Sequence, residues 1–218
     1  AWQHVDEPSR LSGPDGLRAV VSQLDGLELP ARAWEREVLP ARLERYDTSM
    51  LDLLCLTGEV GWARLSTGPT QVVGATPVAL FLRAHADAWL SLSDAARNRE
   101  AGPPDRGVDA AAILARLSSH GASFAHDLTA ALDLDADRFR AAIAELVAAG
   151  LVTSDGFAGL RGLITSTPRA AAGPASAGRW CRLAAPDAPA RADVVEMVAW
   201  TLLRRYGVVF RRLLAREA

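Results

Sequence analysis

The residues of this chain whose types and spacing could do chemistry are few. His120 and His126, with Asp127 beside the second, supply three possible metal ligands. Two histidines at that separation fit neither the i, i+4 pair of a zinc hydrolase helix nor a zinc-finger spacing. The acidic run LDLDAD at 132–137 offers too few oxygen donors and no central glycine for a calcium loop. Its carboxylates are read as complementing the dipole of the helix that follows. DEPS at residues 6–9 has the letters of a helicase DExx box, but no buried strand precedes it. Gly156, Gly159 and Gly162 lack the GxGxxG order and follow a helix, which argues against a dinucleotide fold. Cys55 and Cys181 stand far apart and outside any CxxC pair, so reduced thiols are expected and no zinc or redox motif is.

Composition removes further chemistry. All 24 basic residues are arginines, and lysine is absent. A phosphate-binding P-loop needs a lysine ammonium and Schiff-base catalysis needs an amine, so neither can be housed here. The formal net charge of −2 means that any basic surface must be local. With 218 residues, half of them hydrophobic, the chain can bury about two small cores. No apolar run reaches membrane-spanning length and no charged-then-apolar leader opens the chain, so no membrane partner is expected.

The elements that would position these residues repeat. A helix carries Leu17, Val21 and Leu24 on one face, opened by Ser12 and Asp15 around Pro14. A second carries Trp34 and Val38 and is interrupted at Pro40. A third begins near Asp47 or Thr48, turns Leu51, Leu54 and Cys55 inward, and stops at Gly58. EVGWARL (59–65) and PVALFLR (77–83) then pair as strands across a turn-rich segment. The same order returns after a polar Gly/Pro stretch. Helices follow with Ile113, Leu114 and Leu117, with Phe124, Leu128 and Leu132, and with Phe139, Ile143, Leu146 and Val147. Gly150 ends the last of these, and LVTSDGF (151–157) and GRWCRL (178–183) supply wing strands on either side of a long excursion with a flexible tip. The expected fold class is α+β, mostly α: tandem winged-helix modules with short β-hairpin wings. Residues 1–9 are read as the end of a preceding module, 10–92 as a winged-helix-like module, and 93–107 as a linker. Residues 108–186 form a second winged-helix module with a long wing, and 187–218 the first helices of a truncated third. In that last stretch Val195, Ala199, Leu202, Tyr206, Val209 and Leu213 share one face, with Gly207 as a break. Such a face is expected to dock on residues 108–147 or on another copy of the chain.

Arginine is the natural phosphate ligand, through charged bidentate hydrogen bonds. From Gly156 to Pro186 there are four, Arg161, Arg169, Arg179 and Arg182, and no acid. They read equally as DNA-backbone contacts and as solubilising charge. On the helix before the wing, Asp137, Ala141, Ala144, Glu145 and Ala148 face outward. Only Arg138 and Arg140, on opposite flanks, suit base reading in a major groove. A packing or phosphate-skirting helix is the preferred reading. Trp62 and Trp180 on the wing strands are read as core plugs in preference to base-stacking platforms.

Five phrases carry a resemblance: LPARAWEREVLPARL, LDLLCLTGEVGWARL, ELVAAGLVTSDGFAGLRGLI, GRWCRL and RRYGVVFRRLLARE. Together they resemble the C-terminal part of the large helicase-related (Lhr) family. The resemblance implies an ATP-dependent superfamily 2 DNA helicase of bacterial genome maintenance and DNA repair, with motor domains upstream and an array of winged-helix modules after them. On that reading the chain is a non-catalytic accessory fragment that contributes DNA-backbone contacts and inter-domain scaffolding. It needs no cofactor of its own, ATP and Mg belonging to the motor domains. Its partners are DNA, bound without sequence preference, and the motor and distal winged-helix domains of the same polypeptide, with self-association open. The implied setting is cytoplasmic and nucleoid-associated. Two alternatives stand beside it: a structural or oligomerisation module with no DNA contact, and a stand-alone tandem winged-helix regulator. Related arrays in some DNA glycosylases use a Gln-x-Gln motif, which Gln3, Gln23 and Gln71 do not form.

Overall fold

The computed structural model describes residues 2–66, 72, 74–99, 106–165, 178–183 and 189–217, with the backbone alone for 94–99 and 216–217. In the first module α1 (Gly13–Gln23) turns Leu17, Val20 and Val21 fully inward. Ser12 holds its N-cap position without a side-chain bond, and Pro14 lies in the first turn, where a missing N–H is harmless. After β1 (Glu28–Pro30) comes one helical rod: α2 (Ala31–Ala33), a π turn (Trp34–Val38) and α3 (Leu39–Arg42). Pro40 does not interrupt it. The backbone N–H of Leu39 reaches Trp34 O, five residues back, so the rod widens just before the residue that has no N–H to give. α4 (Thr48–Leu56) starts at Asp47, whose carboxylate accepts from Ser49 N, and ends ahead of Gly58 at φ +78°.

β2 (Val60–Ala63) and β3 (Pro77–Leu82) are the expected hairpin strands. A third strand was not expected: β1 pairs on the far side of β3, giving the order β1-β3-β2. α5 (Ala86–Arg99) then runs through the first part of the stretch read as a linker.

The second module repeats this plan with α6 (Val108–His120), β4 (Ser123–Phe124), α7 (Ala125–Leu132), α8 (Ala136–Ala148), β5 (Val152–Ser154) and β6 (Arg179–Arg182). Its sheet has the same order, β4-β6-β5. Three helices interleaved with a three-stranded antiparallel sheet, twice over, make the fold α+β, mostly α, and tandem winged-helix. Phe124 belongs to β4 and is exposed, stacked on His126, and so does not join Leu128 inside.

Two larger corrections concern the wing and the C-terminal helices. The segment after β5 opens with α9 (Phe157–Ile164), which buries Phe157, Leu160, Leu163 and Ile164 against α2 and α4 of the first module. Leu, Ile and Phe dominate this helix, and that apolar content outweighs its two glycines. α10 (Arg191–Tyr206) docks on α1 of the first module, not on the second. Its buried residues are Val194, Thr201, Leu202 and Arg205, whereas Val195, Ala199 and Tyr206 of the expected face are exposed. Gly207, at φ +74°, does break the helix, and α11 (Arg211–Glu217) follows. No helix among the described residues is long and apolar enough to cross a membrane.

The modules share one core. Trp62 of β2 meets Trp180 of β6 edge to face at 6.3 Å and Phe157 of α9 at the same separation. Trp62 Nε1 donates to Gly156 O, and Thr153 Oγ1 donates to Trp62 O. Both tryptophans are fully buried, so they are plugs of the seam between modules.

Candidate nucleic-acid interface

In a winged helix the third helix and the wing are the surfaces that meet nucleic acid. The third helix of the first module is α4, and α9 lies across it. Asp52 of α4 accepts from Ala158 N and from Arg161, and Arg161 also forks onto Glu35 at 2.8 and 2.9 Å. Tyr46 Oη donates to the same Glu35 carboxylate at 2.8 Å. Burial opposes the charge on Arg161, but hydrogen bonds and attraction from Glu35 and then Asp52 outweigh it and hold the guanidinium above its ordinary value. Arg161 therefore sits in a carboxylate clamp between modules. The sequence signal for the clamp was present in Glu35 and Asp52, but their proximity to residue 161 follows only from the fold.

The third helix of the second module, α8, is more open, and its arginines are also engaged. Arg138, exposed, forks onto Asp109 of α6 at 2.6 and 3.0 Å. Arg140 donates to Leu163 O and Thr165 O, covering carbonyls that the end of α9 leaves without helical partners. Glu145 accepts from Gly107 N, and Ala148, expected outside, is buried. What α8 shows to solvent is mainly Asp137, Arg138 and Ala141.

Of the wing arginines, Arg179 is exposed on β6 and pairs with Asp155 at 2.7 Å. Arg182, also exposed, makes one long bond from Nη1 to Ser118 Oγ at 3.3 Å. Arg169 lies outside the described residues. The described candidates are thus not gathered into one patch: two brace α9, two exposed arginines pair with partly buried acids, and Arg182 stands apart.

Arg182 has a neighbour that no sequence motif signals. It lines a groove of about 300 Å³ at the module seam, with Cys181 and Leu183 beside it. Arg83, Asp87, Ala86 and Leu90 of the first module form the opposite wall, and Gly61, Trp62, Phe81 and Thr153 the floor. Arg83 follows directly on β3, two residues after Phe81, which lines the same groove. Its charge is felt by Cys181 across the groove. Burial and then Asp155 raise that thiol, and Arg83 and Arg179 act in the opposite direction.

The histidines are dispersed. His120 meets Ser119 Oγ, and exposed His126 meets Asp127 at 3.3 Å. Among the described residues no three His, Cys, Asp or Glu side chains are grouped to hold a metal.

Residues 1–83 match the family model of the winged-helix domain of large helicase-related protein. The chain is 34% identical over 170 residues to the Lhr helicase/uracil glycosylase of Escherichia coli (strain K12), covering 75% of this chain and 10% of that protein. It is 29% identical over 250 aligned positions to the Lhr helicase/probable uracil glycosylase of Mycolicibacterium smegmatis, covering all of this chain and 15% of that protein. The chain therefore spans only 10% and 15% of the lengths of these curated relatives. Taken with two winged-helix modules of matching strand order, these similarities make the chain a member of the large helicase-related family, within its winged-helix region.

Proposed function

We propose that this segment is a non-catalytic accessory unit of an Lhr-type ATP-dependent DNA helicase. It acts as a rigid two-module spacer whose outer arginines touch DNA phosphates without reading sequence. The observation that carries the reading is the placement of α9. The helix that would enter a groove in the first module is covered by a helix from the second and locked by the Arg161 clamp. A free, base-reading helix is hard to reconcile with that arrangement, whereas a spacer is served by it. On α8 the outward alanine and acid offer no bidentate partner to a base edge, which favours backbone contact through Arg182, Arg179 and Arg138. Arg161 and Arg140 serve the scaffold. Absence of lysine is in keeping with ATP being handled elsewhere in the polypeptide.

Fluorescence anisotropy of the purified segment with two unrelated oligonucleotide sequences tests this. Weak binding of equal strength to both is expected, falling with salt at a slope of about −0.9 per phosphate neutralised on duplex. ATP turnover is expected to be absent with or without DNA. Strong preference for one sequence would overturn the spacer reading, and no binding at low salt would remove the DNA-contact part of it.

A further inference from the structure

We infer that the seam groove between Arg83 and Arg182 is a phosphodiester-binding site that seats one nucleic-acid strand across both modules. This rests on the proposal that the segment contacts nucleic acid at all, and goes beyond it in naming where. Two observations converge on the groove. First, its two walls come from different modules and each contributes an exposed arginine. Among the described residues neither guanidinium is neutralised by a carboxylate: Arg182 reaches only Ser118 Oγ, and no ion pair engages Arg83. That sets them apart from Arg138, Arg161 and Arg179, each of which is held by acids. In a chain of net charge −2, two arginines without a carboxylate partner on one groove, against the single Asp87, leave a local positive site, and Arg matches phosphate oxygens by its planar fork.

Second, the floor is apolar and preformed. Trp62 and Phe81 are buried beneath it. Phe81 lies so close over β2 that a Cβ on Gly61 would come within 2.7 Å of its ring, so glycine is what lets the ring occupy that place. A volume of about 300 Å³ is at the small end for ligand sites, which suits one sugar-phosphate unit better than a duplex face. Asp87 is the one acid among the described residues that line the groove; it repels any anion, so a phosphate there is held by the two arginines against a single carboxylate.

The test uses the whole segment and three variants, R83Q, R182Q and R83Q/R182Q, each checked for an unchanged thermal midpoint. Affinity for single-stranded and duplex oligonucleotides of equal length is measured over a salt series. The double variant is expected to lose about tenfold in affinity for the single strand, and its salt slope to become shallower by about 1.4, at about 0.7 per charge removed on a single strand. Duplex binding should change less. A second readout needs no substitution. Cys181 lines the groove and Cys55 is buried, so single-stranded oligonucleotide should slow maleimide labelling of Cys181. If the segment binds nucleic acid and the double variant binds equally well, the groove assignment is wrong and the broader reading survives. If the segment binds no nucleic acid at low salt, the groove assignment falls together with the DNA-contact part of the proposed function. Equal protection of Cys181 by polyglutamate at matched charge would overturn the phosphodiester assignment.

Discussion

Around Arg161 one guanidinium, two carboxylates and a phenol are drawn into a half-buried cluster by hydrogen bonds. Arg161 is 26% exposed, Glu35 13% and Asp52 23%. Replacing Arg161 with Gln leaves Glu35 and Asp52 as like charges facing each other away from bulk water. Losing one member of such a cluster costs about 2–3 kcal/mol, more than an exposed pair would. Urea unfolding of R161Q should show that loss, while R179Q, whose pair with Asp155 is more exposed, should lie within about 0.5 kcal/mol of the parent. Equal effects would mean that the clamp adds nothing to the seam. Tyr46 gives the cluster a pH signature. Burial first, then the charge and hydrogen bond of Glu35, push its phenol above the ordinary value. A folded-state value raised above an unfolded one of about 10 stabilises fully below pH 10, and the contribution is lost as pH rises through the folded value. The parent should therefore lose stability above about pH 10. Tyr46→Phe should begin about 1 kcal/mol lower at pH 7 and decline less steeply on that limb. Parallel alkaline limbs would refute the assignment.

At the scale of elements, α9 is the piece on which the two modules depend. It crosses β5 and β6 so closely that a Cβ on Gly159 would lie 2.6 Å from Ser154 Oγ and 3.2 Å from Trp180 Cζ2. Helix propensity alone favours Gly159→Ala by about 1 kcal/mol. Overpacking against a buried tryptophan costs about 1–3 kcal/mol, so the net sign should be destabilising. A thermal midpoint higher than the parent's would show that Ser154 and Trp180 give way freely. This element also marks where the sequence ceases to be legible. The helices of both modules, their glycine stops and both hairpins follow from local pattern, because periodicity and capping act within a few residues. β1 and β4 carry too few residues to alternate, and only pairing with β3 and β6 makes them strands. α9 contains two glycines and follows SDG, so local chemistry points to a loop; Trp62 and the carboxylates of Glu35 and Asp52, all from the other module, make it a helix. Arg161 is legible as a charged residue but not as a clamp, and nothing near Arg83 in sequence resembles a site.

At the scale of the whole molecule, the two ends of the chain meet on the first module. Trp2 Nε1 donates to Arg204 O, Gln3 to Arg205 O, and Gln23 Nε2 to Trp2 O, so side chains near the start cover the last carbonyls of α10. Arg205, 3% exposed, donates from Nη2 to Asp25 O at 2.7 Å. The Asp25 carboxylate in turn is buried, held by His85, by Trp89 Nε1 and by Leu82 N. α10 is apolar on more than one side, and burial of Val194, Leu202 and the Arg205 stem selects the docked one. Val195, Trp200, Leu203 and Tyr206 remain at the surface. The docked side, and not the stripe through Val195, should therefore control the helix. Leu202→Glu places a charge in a buried contact, and Arg205→Met leaves Asp25 O without this donor at a cost of about 1–3 kcal/mol. In both variants amide exchange should quicken along α10 and around Asp25 while α6 and α8 keep their protection. Val195→Glu, 59% exposed, should leave the exchange pattern of α10 as it is. If Val195→Glu releases the helix and Leu202→Glu does not, α10 docks through the other face.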